Sequence, residues 1–278
     1  MAALAVTFFN SCQSDNGGIV FGQQESQVTN TGLELPAHVA HCLTLTHTIN
    51  LNGKDVVNYT TEYDTINYVP RWVAFKFYKD INVKNVERTD DGFHNDPSLP
   101  SRFQLTDNVL FTPYQRGHMC ASADRTVSST ANEQTFYFTN MSPQLGDFNV
   151  NIWAALESQV RTWRERYDTL YVVRGGILST NNTITVSGKK MNVPSKYWMA
   201  LLGRKGDNFS AIAFCLDHKA YGGDQKFTTH TATISNAALS IDSLETLTGI
   251  DFFPSLPDNL ETSVESQVMK SAWYGLKE

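Results

Sequence analysis

The chain has 278 residues, a formal net charge of −6, and a composition of 41% hydrophobic, 12% aromatic and 18% charged residues. This supports a sizeable core and excludes a disordered chain, and no internal run of about 18 apolar residues offers a membrane span. The acidic balance argues against a bulk nucleic-acid coat protein, although an enzyme acting on one phosphodiester at a time needs only a local basic patch.

At the N-terminus the apolar stretch Ala2 to Phe9 ends at Asn10-Ser11-Cys12 and gives way to polar Gln13 to Gly18. The pattern resembles a bacterial lipoprotein signal followed by a tether, although no Lys or Arg precedes the apolar run. It implies a lipid anchor at Cys12 and a secreted or membrane-anchored protein of the periplasm or cell surface. The alternative is a cytosolic chain with a frayed end. Residues 1–36 are expected to be a signal-like segment and flexible linker, rich in Gly, Gln, Ser and Thr after Asn16, and 37–278 a single domain. If Cys12 carries lipid, Cys42, Cys120 and Cys215 allow at most one disulfide. Cys215, inside the apolar run Ala211 to Leu216, is expected to be a core thiol.

Thr44 to Asn50 and Val56 to Asp64 carry β patterns joined by an Asn52-Gly53 turn, and Trp72 to Tyr78 is a strong strand signal. Lys79 to Gln115 reads as a long loop punctuated by Asp91-Gly92, Pro97, Pro100 and Pro113, of the kind that is functional or mobile. Phe136 to Thr139 is a short strand candidate. Asp147 to Tyr167 is the clearest helix: Ile152, Leu156, Val160 and Trp163 form one buried stripe, with Asn149, Trp153, Glu157 and Arg161 on a neighbouring one. Asp147 or Asn149 is a candidate N-cap. Strands are expected at Leu170 to Val173, Thr183 to Val186, Tyr197 to Leu202 and Ala211 to Leu216. A short helix over Ser240 to Thr248 is stopped by Gly249, and Asp251 to Glu278 reads as packing and a polar tail. The fold class is α+β.

The chemistry concentrates in Gln115-Arg116-Gly117-His118, Asn140-Met141-Ser142-Pro143-Gln144, and the helix from Asn149. An imidazole titrating near neutrality is the natural base for activating water, with a rate rising through a pKa of about 6.5. An amide oxygen such as that of Asn149 suits Mg²⁺, with Mn²⁺ as the alternative. Glu157 lies two turns on, about 12 Å along the axis, where a water-mediated role fits better than direct coordination. Arg116 and Arg161 suit phosphoryl oxygens; Arg102, Arg125, Arg164 and Arg166 are further candidates for a basic patch. Taken singly each residue has a structural alternative: Asn149 as a cap, Glu157 and Arg161 as an ordinary helix ion pair.

Together these segments resemble the DNA/RNA non-specific endonuclease family, whose signature runs Asp-Arg-Gly-His, Asn-x-x-Pro-Gln, Asn-x-x-x-Trp-x-x-Leu-Glu. Trp153 and Leu156 stand in register, and Trp72-Val73-Ala74, Ala123-Asp124-Arg125 and Asn192-Val193-Pro194-Ser195 to Trp198 extend the likeness over roughly Leu43 to Pro257. The resemblance implies a ββα-metal nuclease fold with a central, mostly antiparallel sheet flanked by helices, and a hairpin carrying His118 over the helix carrying Asn149. It further implies cleavage of DNA and RNA with little sequence preference. In this reading His118 is the base and Asn149 the sole direct metal ligand. Glu157 holds water, Arg116 and Arg161 serve the phosphate, and Asn140 supports the site. Two positions depart from the family pattern: Gln115 replaces the first aspartate, and Ala121 stands where a proline commonly follows the histidine. A catalytically impaired relative that binds nucleic acid, or a surface lipoprotein, is the alternative, and the oligomeric state is left open.

Overall fold

The computed structural model describes residues 32–89 and 91–277, so Cys12 and the signal-like segment lie outside the described residues. The long strands are β1 (Cys42–Leu51), β2 (Lys54–Asp64) and β3 (Val69–Tyr78), followed by the short hairpin β4 (Gln115–His118) and β5 (Met141–Gln144). Then come β6 (Thr169–Ile177), the small ribbon β7 (Thr183–Val186) and β8 (Lys189–Asn192), β9 (Lys196–Lys205), β10 (Asn208–Asp217) and β11 (Ala238–Leu239). Seven of them form one sheet in the order β1-β2-β3-β6-β9-β10-β11, and every neighbouring pair in it is antiparallel. The β1–β2 turn falls on Asn52 and Gly53, at φ 53° and 82°, the left-handed geometry that Asn-Gly supplies at little strain.

Helices cover both faces because alternate residues of the central strands are apolar on both sides. On one face Val73, Phe75, Leu170, Val172, Met199, Leu201 and Phe214 pack against Ile152, Leu156, Val160 and Trp163. These belong to one helical stretch: α2 (Gly146–Phe148), a π-helical turn over Asn149–Trp153, and α3 (Ala154–Trp163). Each fully buried apolar side chain of that stripe contributes roughly 1.5–3 kcal/mol. The stripe is placed as its spacing predicts. On the other face Trp72, Tyr171, Val173, Trp198 and Ala200 pack against Ile241, Leu244, Leu260 and Val264. Those residues come from α5 (Ile241–Thr248) and α6 (Asp258–Glu265). Of the remaining helices, α1 (Ser129–Gln134) packs by Ala131 against Ile49 of β1, and α4 (Phe227–Asn236) joins the α3 side through Phe227 and Ile234. Gly249 ends α5 at φ 67°, as its position predicts.

Several local expectations differ from the structure. Phe136 to Thr139 is not a strand. The Asn140 amide donates to Thr135 O at 2.7 Å, and tight turns such as Asn140 N to Tyr137 O at 2.9 Å curl the segment until β5 begins. Packing begins ahead of Ala37, with Leu33 and Glu34 buried and Glu34 3.7 Å from Lys76. The C-terminal stretch is no free tail: Trp273 is fully buried, its ring centroid 5.2 Å from that of Trp163. Cys42, Cys120 and Cys215 are free thiols, and Cys215 is only partly buried.

Candidate active site

The β4–β5 hairpin sets Arg116 opposite Pro143, Gly117 opposite Ser142 and His118 opposite Met141. Gly117 is required by space, since a Cβ there would collide with the Gln144 side chain. Asn140 does not line the cavity described below. It is fully buried and clamps the chain just past the histidine: its Oδ1 accepts from Cys120 N at 2.8 Å, and its Nδ2 donates to Cys120 O at 2.8 Å. Its place is therefore that of a positioning residue, acting through the backbone of residues 119 and 120.

His118 sits in an aromatic seat, with the ring centroids of Phe136 and Phe93 at 5.1 and 5.6 Å. The residue keeps some surface, yet its Nε2 is buried and has no hydrogen-bond partner among the described residues. Burial, with the guanidiniums of Arg88 and Arg116 against the partly offsetting Asp124, pushes its pKa down to about 3. The imidazole is thus neutral well below the pH of about 6.5 at which an exposed histidine would lose its charge, and by the same shift a weaker base than an exposed one.

Across the cavity the start of the helical stretch carries Asn149. Neither Asn149 nor Asp147 caps it: Asp147 Oδ1 accepts from Tyr221 N at 2.7 Å and Gly222 N at 2.9 Å. Asn149 Nδ2 instead donates to Gln115 Oε1 at 2.7 Å. In this arrangement Nδ2 is the donor, which leaves Oδ1 as the atom free to serve as a metal ligand. Gln115 therefore performs a task open to any acceptor oxygen at that position. Asn151, two residues on, hydrogen-bonds Asp147 and does not line the cavity. The π turn between Asn149 and Trp153 is the kind of irregularity that recurs at functional sites.

Glu157 and Arg161 do not form the helix pair that their spacing allows. Arg161 Nη1 bonds Asp124 Oδ1 at 2.8 Å, whereas Glu157 Oε1 lies 3.2 Å from Arg174 Nη1. The same Arg174 nitrogen bonds Asp124 Oδ2 at 2.9 Å and Met119 O at 2.9 Å. Two carboxylates and two guanidiniums thus alternate beneath the cavity. Burial opposes the charge of Asp124, but Arg174 and Arg161 overcome it and hold its carboxyl below the usual range. Burial lifts Glu157 above that range despite Arg174. For Arg161 burial is outweighed by Asp124 and Glu157, which keep its charge firmly in place.

One open cavity of about 600 Å³ joins these groups, lined among others by Arg88, Gln115, Arg116, His118, Asn149, Glu157 and Arg161. Arg116 is held over the Phe93 ring at 3.8 Å and donates to the carbonyls of Asn108 and Val109, each at 3.2 Å. Of the other arginine candidates, Arg125 is fully buried, its Nε bonded to Asn58 O at 2.9 Å. Arg102, Arg164 and Arg166 lie outside the lining. Arg88 and Arg174 escaped the sequence reading. A signal existed for Arg174, a lone charge in the apolar strand Leu170-Tyr171-Val172-Val173-Arg174; Arg88 sits in the long loop with no local pattern to mark it.

The hairpin bearing an imidazole, set over a helix bearing a carboxamide, defines the class: a ββα-metal nuclease fold. A chain of the crystal structure of the EndoG/EndoGI complex superposes with a TM-score of 0.63 at 24% identity, covering 77% of this chain and 88% of that one. The family model for DNA/RNA non-specific endonuclease matches residues 44–259. The mouse protein "Nuclease EXOG, mitochondrial" is 30% identical over 213 residues, which are 72% of this chain and 56% of the mouse protein. A nuclease of Nostoc sp. is 31% identical over 216 residues, 76% of each chain. The chain belongs to the DNA/RNA non-specific endonuclease family.

Proposed function

We propose that this protein is a divalent-metal-dependent endonuclease that hydrolyses phosphodiester bonds of DNA and RNA with little sequence preference, His118 acting as general base. The observation that carries the reading is the pairing of two prepared groups on one cavity. One is the neutral imidazole of His118, and the other the amide of Asn149 anchored by Gln115. The donor set of one amide oxygen and a neighbouring carboxylate suits a hard cation that keeps several waters, Mg²⁺ or Mn²⁺. When bound at Asn149, such an ion supplies stabilisation for negative charge developing on the phosphate and leaving oxygens. The His118 imidazole takes the proton of the attacking water through its ring nitrogen that faces the cavity. Arg88, Arg116 and Arg161 face the non-bridging oxygens, and Glu157 accepts hydrogen bonds from water at the helix side of the cavity. Guanidiniums that meet phosphate carry no information about base identity, which supports weak sequence preference.

The test is cleavage of supercoiled plasmid and single-stranded RNA with Mg²⁺ or EDTA, for wild type and His118→Ala. Metal-dependent cutting of both substrates, reduced about 10²- to 10⁴-fold by the substitution, is expected. No cutting by folded wild type with either metal would favour the impaired, nucleic-acid-binding relative. The secreted or lipid-anchored location rests on the pattern around Cys12, and loss of membrane partitioning in Cys12→Ala is its test.

A further inference from the structure

On the sheet face opposite the active site, Asp242 and Glu245 lie one turn apart on α5, and Glu265 closes α6. Each offers a carboxylate oxygen within 4.8 Å of the others. Glu265 is only 3% exposed, and its buried Oε1 has no hydrogen-bond partner. One oxygen of Glu245 is fixed by accepting from Phe252 N at 2.8 Å. Among the described residues no ion pair involves any of these three, nor the neighbouring Asp251 and Glu261. Glu265 also stands at the C-terminal end of its helix, where the backbone dipole disfavours negative charge. Burial, together with Glu245, Glu261, Asp242 and Asp251, lifts its carboxyl to about 8.

A carboxylate with one oxygen sealed from water and without a donor, facing two others, calls for a cation. We propose that Asp242, Glu245 and Glu265 bind a structural Ca²⁺ that ties α5 to α6, at a site separate from the catalytic cavity. Calcium–oxygen distances of about 2.3–2.6 Å place ligands on opposite sides of the ion about 5 Å apart, in keeping with the spacing of these oxygens. Calcium also accepts irregular sets of mono- and bidentate carboxylates, whereas Mg²⁺ demands near-octahedral geometry. Asp242, exposed to solvent, leaves the outer side of the ion open to water.

The experiment is calorimetric unfolding of the full chain, first stripped with EDTA and then given Ca²⁺, together with isothermal titration of Ca²⁺. Wild type should gain roughly 5 °C in Tm once free Ca²⁺ stands about a hundredfold above Kd. Asn149→Ala, which removes only the ligand proposed for the catalytic ion, should keep both this gain and one bound Ca²⁺ per chain. Glu265→Gln should fold in EDTA with a Tm no lower than wild type and lose the gain, and the exposed Asp242→Asn should weaken binding at least tenfold. Two results would overturn the proposal: a wild-type Tm indifferent to Ca²⁺, or a gain that survives in Glu265→Gln. Either would mean that Glu265 is simply a protonated carboxyl lodged against Glu245.

Discussion

Carboxylates are buried on both sides of the central sheet, under opposite regimes of compensation. Beneath the active site Asp124 and Glu157 alternate with Arg161 and Arg174, each acid within 3.2 Å of a guanidinium nitrogen. Across the sheet, Asp242, Glu245 and Glu265 gather with no ion pair among the described residues. In the first region the chain supplies its own counter-charge, which fixes the groups while leaving Glu157 and Arg161 on the cavity wall. In the second, the counter-charge must come from outside or the acid must stay protonated. Burial penalises charge in both places; the difference lies in whether a strand opposite contributes a cation.

The same edit, carboxylate to amide, should therefore act differently on the two faces. Asp124→Asn leaves buried Arg174 underpaired and should destabilise the fold by about 3–5 kcal/mol, read from chemical denaturation, where Glu265→Gln without calcium should cause no loss. An Asp124→Asn loss below about 1 kcal/mol would show that the pair is not the support described here. Gln115→Ala releases the Asn149 amide and should weaken catalytic-metal affinity about 10- to 100-fold, measured by titrating plasmid cleavage with Mg²⁺. Gln115→Asp, which keeps an acceptor oxygen, should stay near wild type. A large gain in cleavage by that variant would instead revive the impaired-relative reading.

A further prediction concerns protons. His118 has a folded pKa of about 3, against about 6.5 in the unfolded chain. The unfolded state therefore takes up the proton first as pH falls. The stability linked to this group is complete above about pH 6.5 and drains toward pH 3, by at most about 1.4 kcal/mol per unit. In NMR titrations of metal-free protein its ring signals should stay those of the neutral form down to pH 5. A midpoint near 6.5 would show an exposed imidazole and overturn the desolvated setting of His118.

What the sequence disclosed follows from the range over which its signals act. The α3 stripe and the β9 and β10 patterns repeat over a few residues, and the Arg116-Gly117-His118 segment, Asn149 and Glu157 lie in one recognisable order. Helix α4, Phe227-Thr228-Thr229-His230-Thr231-Ala232-Thr233-Ile234-Ser235-Asn236, was not legible. Threonine and serine are weak helix formers, and this segment is helical because Phe227 and Ile234 pack into the core beneath α3. Asp124 and Arg174 stand 50 residues apart, so no local pattern joins them. Even Arg161 was visible as a charge, while its partner was visible only in three dimensions.

The π-helical turn over Asn149–Trp153 has a consequence for insertions and deletions. Such a turn holds one residue more than regular α-helix would use. Deleting the exposed Val150 would let the backbone relax into regular helix while Ile152, Leu156, Val160 and Trp163 kept their seats in the core. Asn149 would keep nearly the same bearing on Glu157, because the wide turn spends its extra residue without adding rotation. Losing a residue inside α3, where there is none to spare, would instead turn everything before it by about 100° around the axis. A one-residue gap at this turn in alignments of related chains is thus compatible with an unchanged active site, whereas a gap within α3 is not.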